Sequence, residues 1–389
     1  MSPNAPPRED TRPWLRRHRR GLAIAAAGVV ILILAGVAAA GWHFSSAVLV
    51  PDHSSWPPNA TVEAVSPGRI VLSRTDDSER PGVYGLDWEA GHAIIGPVIT
   101  GTADTVTRRL RAVRGYLVPG RKVVLDSDVY VGDPEQALGL PFSNVRVRGE
   151  LGTMPAWEIP GRSHSWAIVV HGINGSPQEG LNIAPTLHRD GLTSLLITYR
   201  EDLGAPSSPD GFHHMGLTEW RDLEAAVRFA LAHGARSLTL VGYSMGGAVV
   251  AQFMERSALA SRVRGLVLDA PALSWKAILS FNATEMGFPS FGALPVEWAI
   301  GARIDADWGS LDALQHPEDF HLPILLFHGT DDKVVPISTS EDFAEELPRW
   351  VTYFRVPRAG HVESWNVDPA LYERRLTRFL TRGGVGASS

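Results

Sequence analysis

Hydrophobic residues change their spacing twice along this chain, which divides it into three regimes. Residues 21–41, GLAIAAAGVVILILAGVAAAG, are apolar without interruption and carry no charge. About 20 such residues make a helix long enough to cross the hydrocarbon core of a bilayer. From residue 61 the apolar runs become short and are broken by Gly, Pro and Asp, as in TVEAV, GRIVLS, GVYGLDW, HAIIGPVIT, KVVLDS and DVYVG. That pattern predicts a small β-rich domain over 61–143, with 105–113 compatible with either a strand or a helix. From residue 144 a third regime begins. NVRVRGE and TMPAWEIP read as a hairpin, and SWAIVVHG, SLLITYR, SLTLVGY, GLVLDA, PILLFHG and WVTYFRVP read as buried strands. Helical stretches alternate with them. In 218–233, Trp220, Leu223, Val227 and Leu231 share one face, and Gly234 ends the pattern. Continuous apolar strands alternating with helices predict a mostly parallel sheet covered on both faces, with its chemistry at the carboxyl ends of the strands. Residues 42–60, rich in Pro, Ser and Asn, read as a linker, and 384–389 as a flexible tail.

Composition adds exclusions. The 389-residue chain has no cysteine, so disulfides, thiolate metal sites and a cysteine nucleophile are ruled out. Residues 1–20 form a basic tail: six arginines against Glu9 and Asp10 give about +4, ending in RRHRR at 16–20. The net charge of the whole chain is −6, so the remainder carries about −10. An acidic body argues against a nucleic-acid partner. Positive charge before the apolar run, and Trp42, His43 and Phe44 after it, suit an uncleaved single-pass helix with its N-terminus in the cytoplasm. The competing expectation is a cleaved signal peptide, for which Ala38-Ala39-Ala40 offers a small-residue site. Either way the body is expected outside the cytoplasm, with the lipid bilayer as a partner in the first case.

The densest candidate chemistry is at 237–254. A short apolar run ends in Gly242-Tyr243-Ser244-Met245-Gly246-Gly247, and helix-forming residues follow. A serine in G-x-S-x-G between a strand and a helix sits on a strained turn. Its small neighbours let other backbone approach, and the helix that follows directs N–H groups at charge formed there. Three further motifs end strand candidates: HGINGS (171–176), HGTDDKVVP (328–336) and AGHVESW (359–365). His213 and His214, adjacent in a Gly- and Pro-rich loop, read as solvated, and no metal site is expected.

On these four motifs, in the chain order Ser, Asp, His, the sequence resembles the α/β-hydrolase superfamily over roughly 144–383, with lysophospholipase-like and serine-peptidase-like members nearest in pattern. The resemblance implies an α/β-hydrolase fold preceded by a transmembrane helix and a small β-rich region. It implies a triad of Ser244 as nucleophile, His361 as base and Asp332 as acid, with Asp331 and Asp269 as rival acids. The oxyanion donors it implies are the backbone N–H groups of Met245 and Ile173, and His171 reads as shaping that loop. Residues 272–318 are too long for a simple connection, and the resemblance makes them a short cap. Trp275, Phe281, Phe288, Phe291 and Trp298 would then line a substrate pocket. The implied reaction is hydrolysis of carboxylic esters through an acyl-serine, needing no cofactor. The alternatives are a peptidase acting on short peptides and a non-catalytic fold used for binding.

Overall fold

The computed structural model describes residues 12–54 and 56–382. A single long helix, α1 (Arg12–Leu49), leads the chain, and its apolar part is exposed. The helix is longer than the apolar run, so residues 42–49 are helix and not linker. Nothing in 42–49 breaks a helix, and Pro51 accounts for the stop. The last turn also gains a partner, because Leu49 is fully buried in the core of the main domain.

Six strands then form a closed antiparallel barrel in the order β1-β2-β5-β4-β3-β6. They are β1 (Ala60–Ser66), β2 (Arg69–Ser73), β3 (Tyr84–Trp88), β4 (Gly91–Gly101), β5 (Thr105–Arg114) and β6 (Lys122–Asp126). The ambiguous stretch at 105–113 is therefore strand. Val62, Leu72, Leu86, Ile95 and Val123 alternate inward and fill a separate small core. Closure leaves no open sheet edge. Arg108, fully buried, replaces apolar filling at one end. Its guanidinium donates to the carbonyls of Gly96, Ser78, Arg80 and Gly82 at 2.8–3.0 Å. Burial pulls its pKa down to about 10, yet each of its three nitrogens finds an acceptor.

A short helix, α2 (Pro134–Leu138), leads into the main domain. Its eight strands are β7 (Ser143–Arg148), β8 (Thr153–Ile159), β9 (Ser165–Val170), β10 (Thr193–Ile197), β11 (Ser237–Tyr243), β12 (Val263–Asp269), β13 (Ile324–Gly329) and β14 (Val351–Val356). They form one sheet in the order β14-β13-β12-β11-β9-β10-β8-β7. The run from β14 to β10 is parallel, and β8 and β7 are antiparallel. Every residue of β9, β11 and β13 is buried, as expected for central strands covered on both faces. Helices α3 (Ala184–Arg189), α4 (Trp220–Ala232) and α5 (Met245–Arg256) come from the first half. Helices α6 (Trp275–Glu285) and α7 (Leu294–Ile304) lie between β12 and β13, and α8 (Ile337–Glu346), α9 (Ser364–Val367) and α10 (Pro369–Arg382) complete the chain. Two large apolar clusters, one on each face of the sheet, hold these layers together.

Candidate active site

The site begins at the junction of β11 and α5. Ser244 has φ 48° and ψ −118°, a backbone conformation that costs an ordinary residue on the order of 1–3 kcal/mol. The turn is possible because its neighbours lack side chains. A Cβ on Gly246 would stand 2.2 Å from the Val170 carbonyl oxygen, and one on Gly242 would stand 2.8 Å from that of Gly246. Ser244 Oγ lies 2.8 Å from His361 Nε2, and His361 Nδ1 lies 2.8 Å from Asp332 Oδ2. His361 sits in the loop after β14, and Asp332 in the loop after β13. Asp332 Oδ1 accepts the backbone N–H groups of Val334 and Val335 at 2.8 and 2.9 Å. His328 Nε2 approaches Oδ2 at 3.2 Å. Burial alone would raise the Asp332 pKa, but hydrogen bonds from His328 and His361 outweigh it and hold the carboxyl well below the usual carboxylate range.

The rival acids lie elsewhere. Asp331 is exposed and accepts from its neighbour Thr330 Oγ1 at 2.9 Å. Asp269, at the tip of β12, is buried and bonds Ser364 Oγ at 2.7 Å. Burial pushes its pKa well up.

Met245 opens α5, so its N–H has no partner one turn back within the helix and faces the Ser244 turn. Ile173 is oriented from behind. In a trans peptide the C=O of residue 172 and the N–H of residue 173 point in opposite directions. The Gly172 carbonyl accepts from Tyr199 Oη at 2.7 Å and from His171 Nδ1 at 2.8 Å. Clamping that oxygen fixes where the Ile173 N–H points. The Gly172 N–H is held in turn by Glu179 Oε2 at 2.6 Å. His171 Nε2 lies 2.9 Å from Asp202 Oδ2, so both ring nitrogens face acceptors, an arrangement that favours the cationic ring. Burial works to lower its pKa, but the charge and hydrogen bond of Asp202 prevail and raise it.

Three sequence expectations need correction. Trp275 is buried and donates from Nε1 to the Met215 carbonyl at 3.0 Å, so it belongs to the core. Phe288, Phe291 and Trp298 face outward, each more than half exposed, and only Phe281 is intermediate. The five aromatics therefore form no common pocket, because their helices turn one apolar side to the core and the other to the outside. His213 is fully buried and not solvated: its ring meets Asn174 Oδ1 at 3.0 Å and its N–H bonds the Leu49 carbonyl at 2.8 Å. The cleft that does adjoin the loop carrying Ile173 has a volume of about 310 Å³. It draws on three parts of the chain: Trp56 after α1, Asp126 and Asp128 at the end of β6, and Ile173 and Glu179.

The barrel also reaches the histidine loop, which sequence reasoning missed. Glu363, two residues beyond His361, accepts the Gly360 N–H at 2.9 Å and the Tyr84 hydroxyl at 3.1 Å. It is ion-paired with Arg80. Asn366 donates to the Val83 and Ser127 carbonyls, both at 2.8 Å. Gly82 approaches so closely that a Cβ there would lie 2.0 Å from the Asn366 carbonyl oxygen.

Residues 168–306 match a family model described as alpha/beta hydrolase fold, and residues 61–126 match a domain of unknown function, DUF8805. An uncharacterized protein of Mycobacterium tuberculosis strain H37Rv is 27% identical over 235 residues, covering 59% of this chain and 75% of that protein. The solved structure of an esterase from Pyrococcus furiosus aligns with a TM-score of 0.54 at 19% identity, covering 65% of this chain and 95% of that one. Likeness at that identity speaks for the fold.

Proposed function

We propose that this chain, whose main domain has the α/β-hydrolase fold, is a membrane-anchored serine hydrolase that cleaves carboxylic esters outside the cytoplasm. The observation that carries the reading is the unbroken chain Ser244 Oγ, His361, Asp332, at 2.8 Å per link, on a strained turn at the start of α5. A serine hydroxyl becomes a competent nucleophile only when a base takes its proton. His361 Nε2 takes it as Oγ bonds to the ester carbonyl carbon. The carbonyl electron pair moves onto oxygen, facing the N–H groups of Met245 and Ile173. When the tetrahedral intermediate collapses, the C–O bond to the alcohol breaks and His361 returns the proton to the leaving oxygen. Water then repeats the sequence on the acyl-serine and releases the acid. Asp332, ionised throughout, stabilises the imidazolium between the two transfers. The esterase from Pyrococcus furiosus supports an ester as substrate.

The test has two arms. Ser244→Ala should abolish covalent labelling by a fluorophosphonate probe and nearly all turnover. On the unmodified protein, kcat/KM for aryl esters should exceed that for aminoacyl anilides. Full turnover by Ser244→Ala would end the hydrolase reading, and a preference for anilides would replace esterase with peptidase.

A further inference from the structure

We propose that the outer face of the α6–α7 cap rests in the interfacial layer of the bilayer, and that the site takes its ester substrate from the membrane. This rests on the readings above of α1 as a membrane anchor and of Ser244 as nucleophile. The first observation is how α1 meets the cap. Gly41 packs on Pro295 at the start of α7; a Cβ there would stand 2.3 Å from the Pro295 carbonyl oxygen. Ser45 and Ser46, further along α1, accept from the Arg303 guanidinium two turns later on α7, at 2.8 and 2.9 Å. The same guanidinium lies over the ring of Trp42, 5.1 Å from its centroid. The contacts run in the same order on both helices, so α1 and α7 are roughly parallel. The apolar segment before Gly41, uncovered by the rest of the protein, therefore leaves past the N-terminal end of α7.

The second observation is what that end of the cap carries. Met286, Phe288, Phe291, Leu294 and Trp298 are each 53–69% exposed. The stretch 286–296, MGFPSFGALPV, contains no charge. An exposed apolar patch of this kind needs an occupant. Here it continues the surface of the very helix that enters the bilayer, which commits the occupant to lipid. Aromatic residues are favoured at the headgroup level, where Trp42 and Phe44 also fall.

The third observation joins the patch to the chemistry. Helix α6 ends at the patch, and its Asn282 amide donates to the Val334 carbonyl at 2.9 Å, in the loop that carries Asp332. The start of the cap connection is bonded to the nucleophile turn, Ala272 N–H to the Ser244 carbonyl at 2.9 Å. The cap thus spans from the membrane level to the nucleophile. That connection is the route the proposal gives an amphiphilic ester.

The absence of cysteine allows a direct test. Full-length Phe291→Cys, carrying an environment-sensitive fluorophore, is reconstituted in phosphatidylcholine–phosphatidylglycerol vesicles. Tyr116→Cys, on the barrel and 78% exposed, is the control. The dye at 291 should shift to the blue and be quenched by lipids spin-labelled near the headgroup, and the dye at 116 should do neither. Protein that floats with vesicles while position 291 stays in water overturns the proposal; protein that fails to float overturns the anchor as well. A blue shift without lipid quenching that grows with protein density would assign the patch to a second copy, and would also overturn it. In the kinetic arm, Phe288→Ser/Phe291→Ser should lose about tenfold in rate on a long-chain ester dissolved in vesicles, and less than about twofold on a short water-soluble ester. Equal loss on both, or none on either, rejects uptake from the membrane. If the unmodified protein cleaves neither ester, the hydrolase reading fails, and the fluorophore still decides whether the cap touches lipid.

Discussion

At the scale of single residues, the site depends on which carboxylate faces His361. Asp332→Asn keeps the shape of the side chain and removes the charge that holds the imidazole. It should cost on the order of 10⁴ in kcat, as in well-studied triads. Asp331→Asn should cost less than about tenfold, since that carboxylate touches only Thr330 in a turn. Asp269→Asn should also be mild in kcat, because its partner is Ser364. A crippled Asp331 or Asp269 variant beside an active Asp332 variant would reassign the acid. The second residue-scale prediction concerns His171, whose pKa is raised because the attraction of Asp202 prevails over burial. A raised value means the charged pair stabilises the fold fully below the unfolded value of about 6.5, and that this contribution is lost as pH rises through the folded value. The urea midpoint should therefore fall more steeply with pH above about 6.5 in the unmodified protein than in His171→Gln. Parallel curves would show that the ring is not charged. Reading the sequence singles out Ser244 and His361 by their strand-end motifs, and Asp332 by the resemblance that those motifs carry; the structure brings the three side chains together. It does not find Tyr199 or Asp202, because nothing local marks a tyrosine that clamps a carbonyl 27 residues away.

At the scale of elements, the barrel holds the loop that carries His361. Arg108 fixes the carbonyls of Ser78, Arg80 and Gly82, and this shapes the segment that carries Arg80 and Tyr84 to Glu363. Glu363 then anchors Gly360, next to His361. Such a chain affects catalysis by position and makes no contact with substrate. Arg80→Ala should lower kcat by roughly ten- to a hundredfold, the scale of a small misplacement of reacting groups, with KM nearly unchanged. Arg80→Lys should restore part of it, and Glu363→Gln, which keeps an acceptor for Gly360, should be milder than Glu363→Ala. An unchanged kcat in Arg80→Ala would reduce the contact to simple adhesion between domains. The strand pattern announces both domains but not this contact, since Tyr84 and Glu363 are 279 positions apart and each is unremarkable in its own segment. The cap misleads for a related reason. Aromatic spacing identifies amphipathic helices, but which side of α6 and α7 faces the core depends on their neighbours.

At the scale of the whole molecule, the question is whether α1 stays attached. The basic tail of about +4 and the uncharged run 21–41 predict the orientation proposed above, N-terminus in and body out. A signal-peptide reading requires cleavage near Ala38-Ala39-Ala40. In the fold the helix continues through that point without a break. Its next turns are docked: Gly41 on Pro295, Ser45 and Ser46 on Arg303, and Leu49 in the main core with its carbonyl bonded to His213. The sequence shows the length and charge asymmetry of this helix; the docking is visible only in the fold, since residues 42–49 look like the start of a linker. The expected outcome is retention. A reporter fused to the C-terminus should be active on the outer side, and full-length protein should remain with membranes after a carbonate wash. Replacing Arg303 with Ala should loosen the docked turns without releasing the protein, because the apolar run alone still spans the bilayer. Appearance of a shortened soluble protein, with or without Arg303, would exchange the anchor for a signal peptide and detach the cap from the membrane.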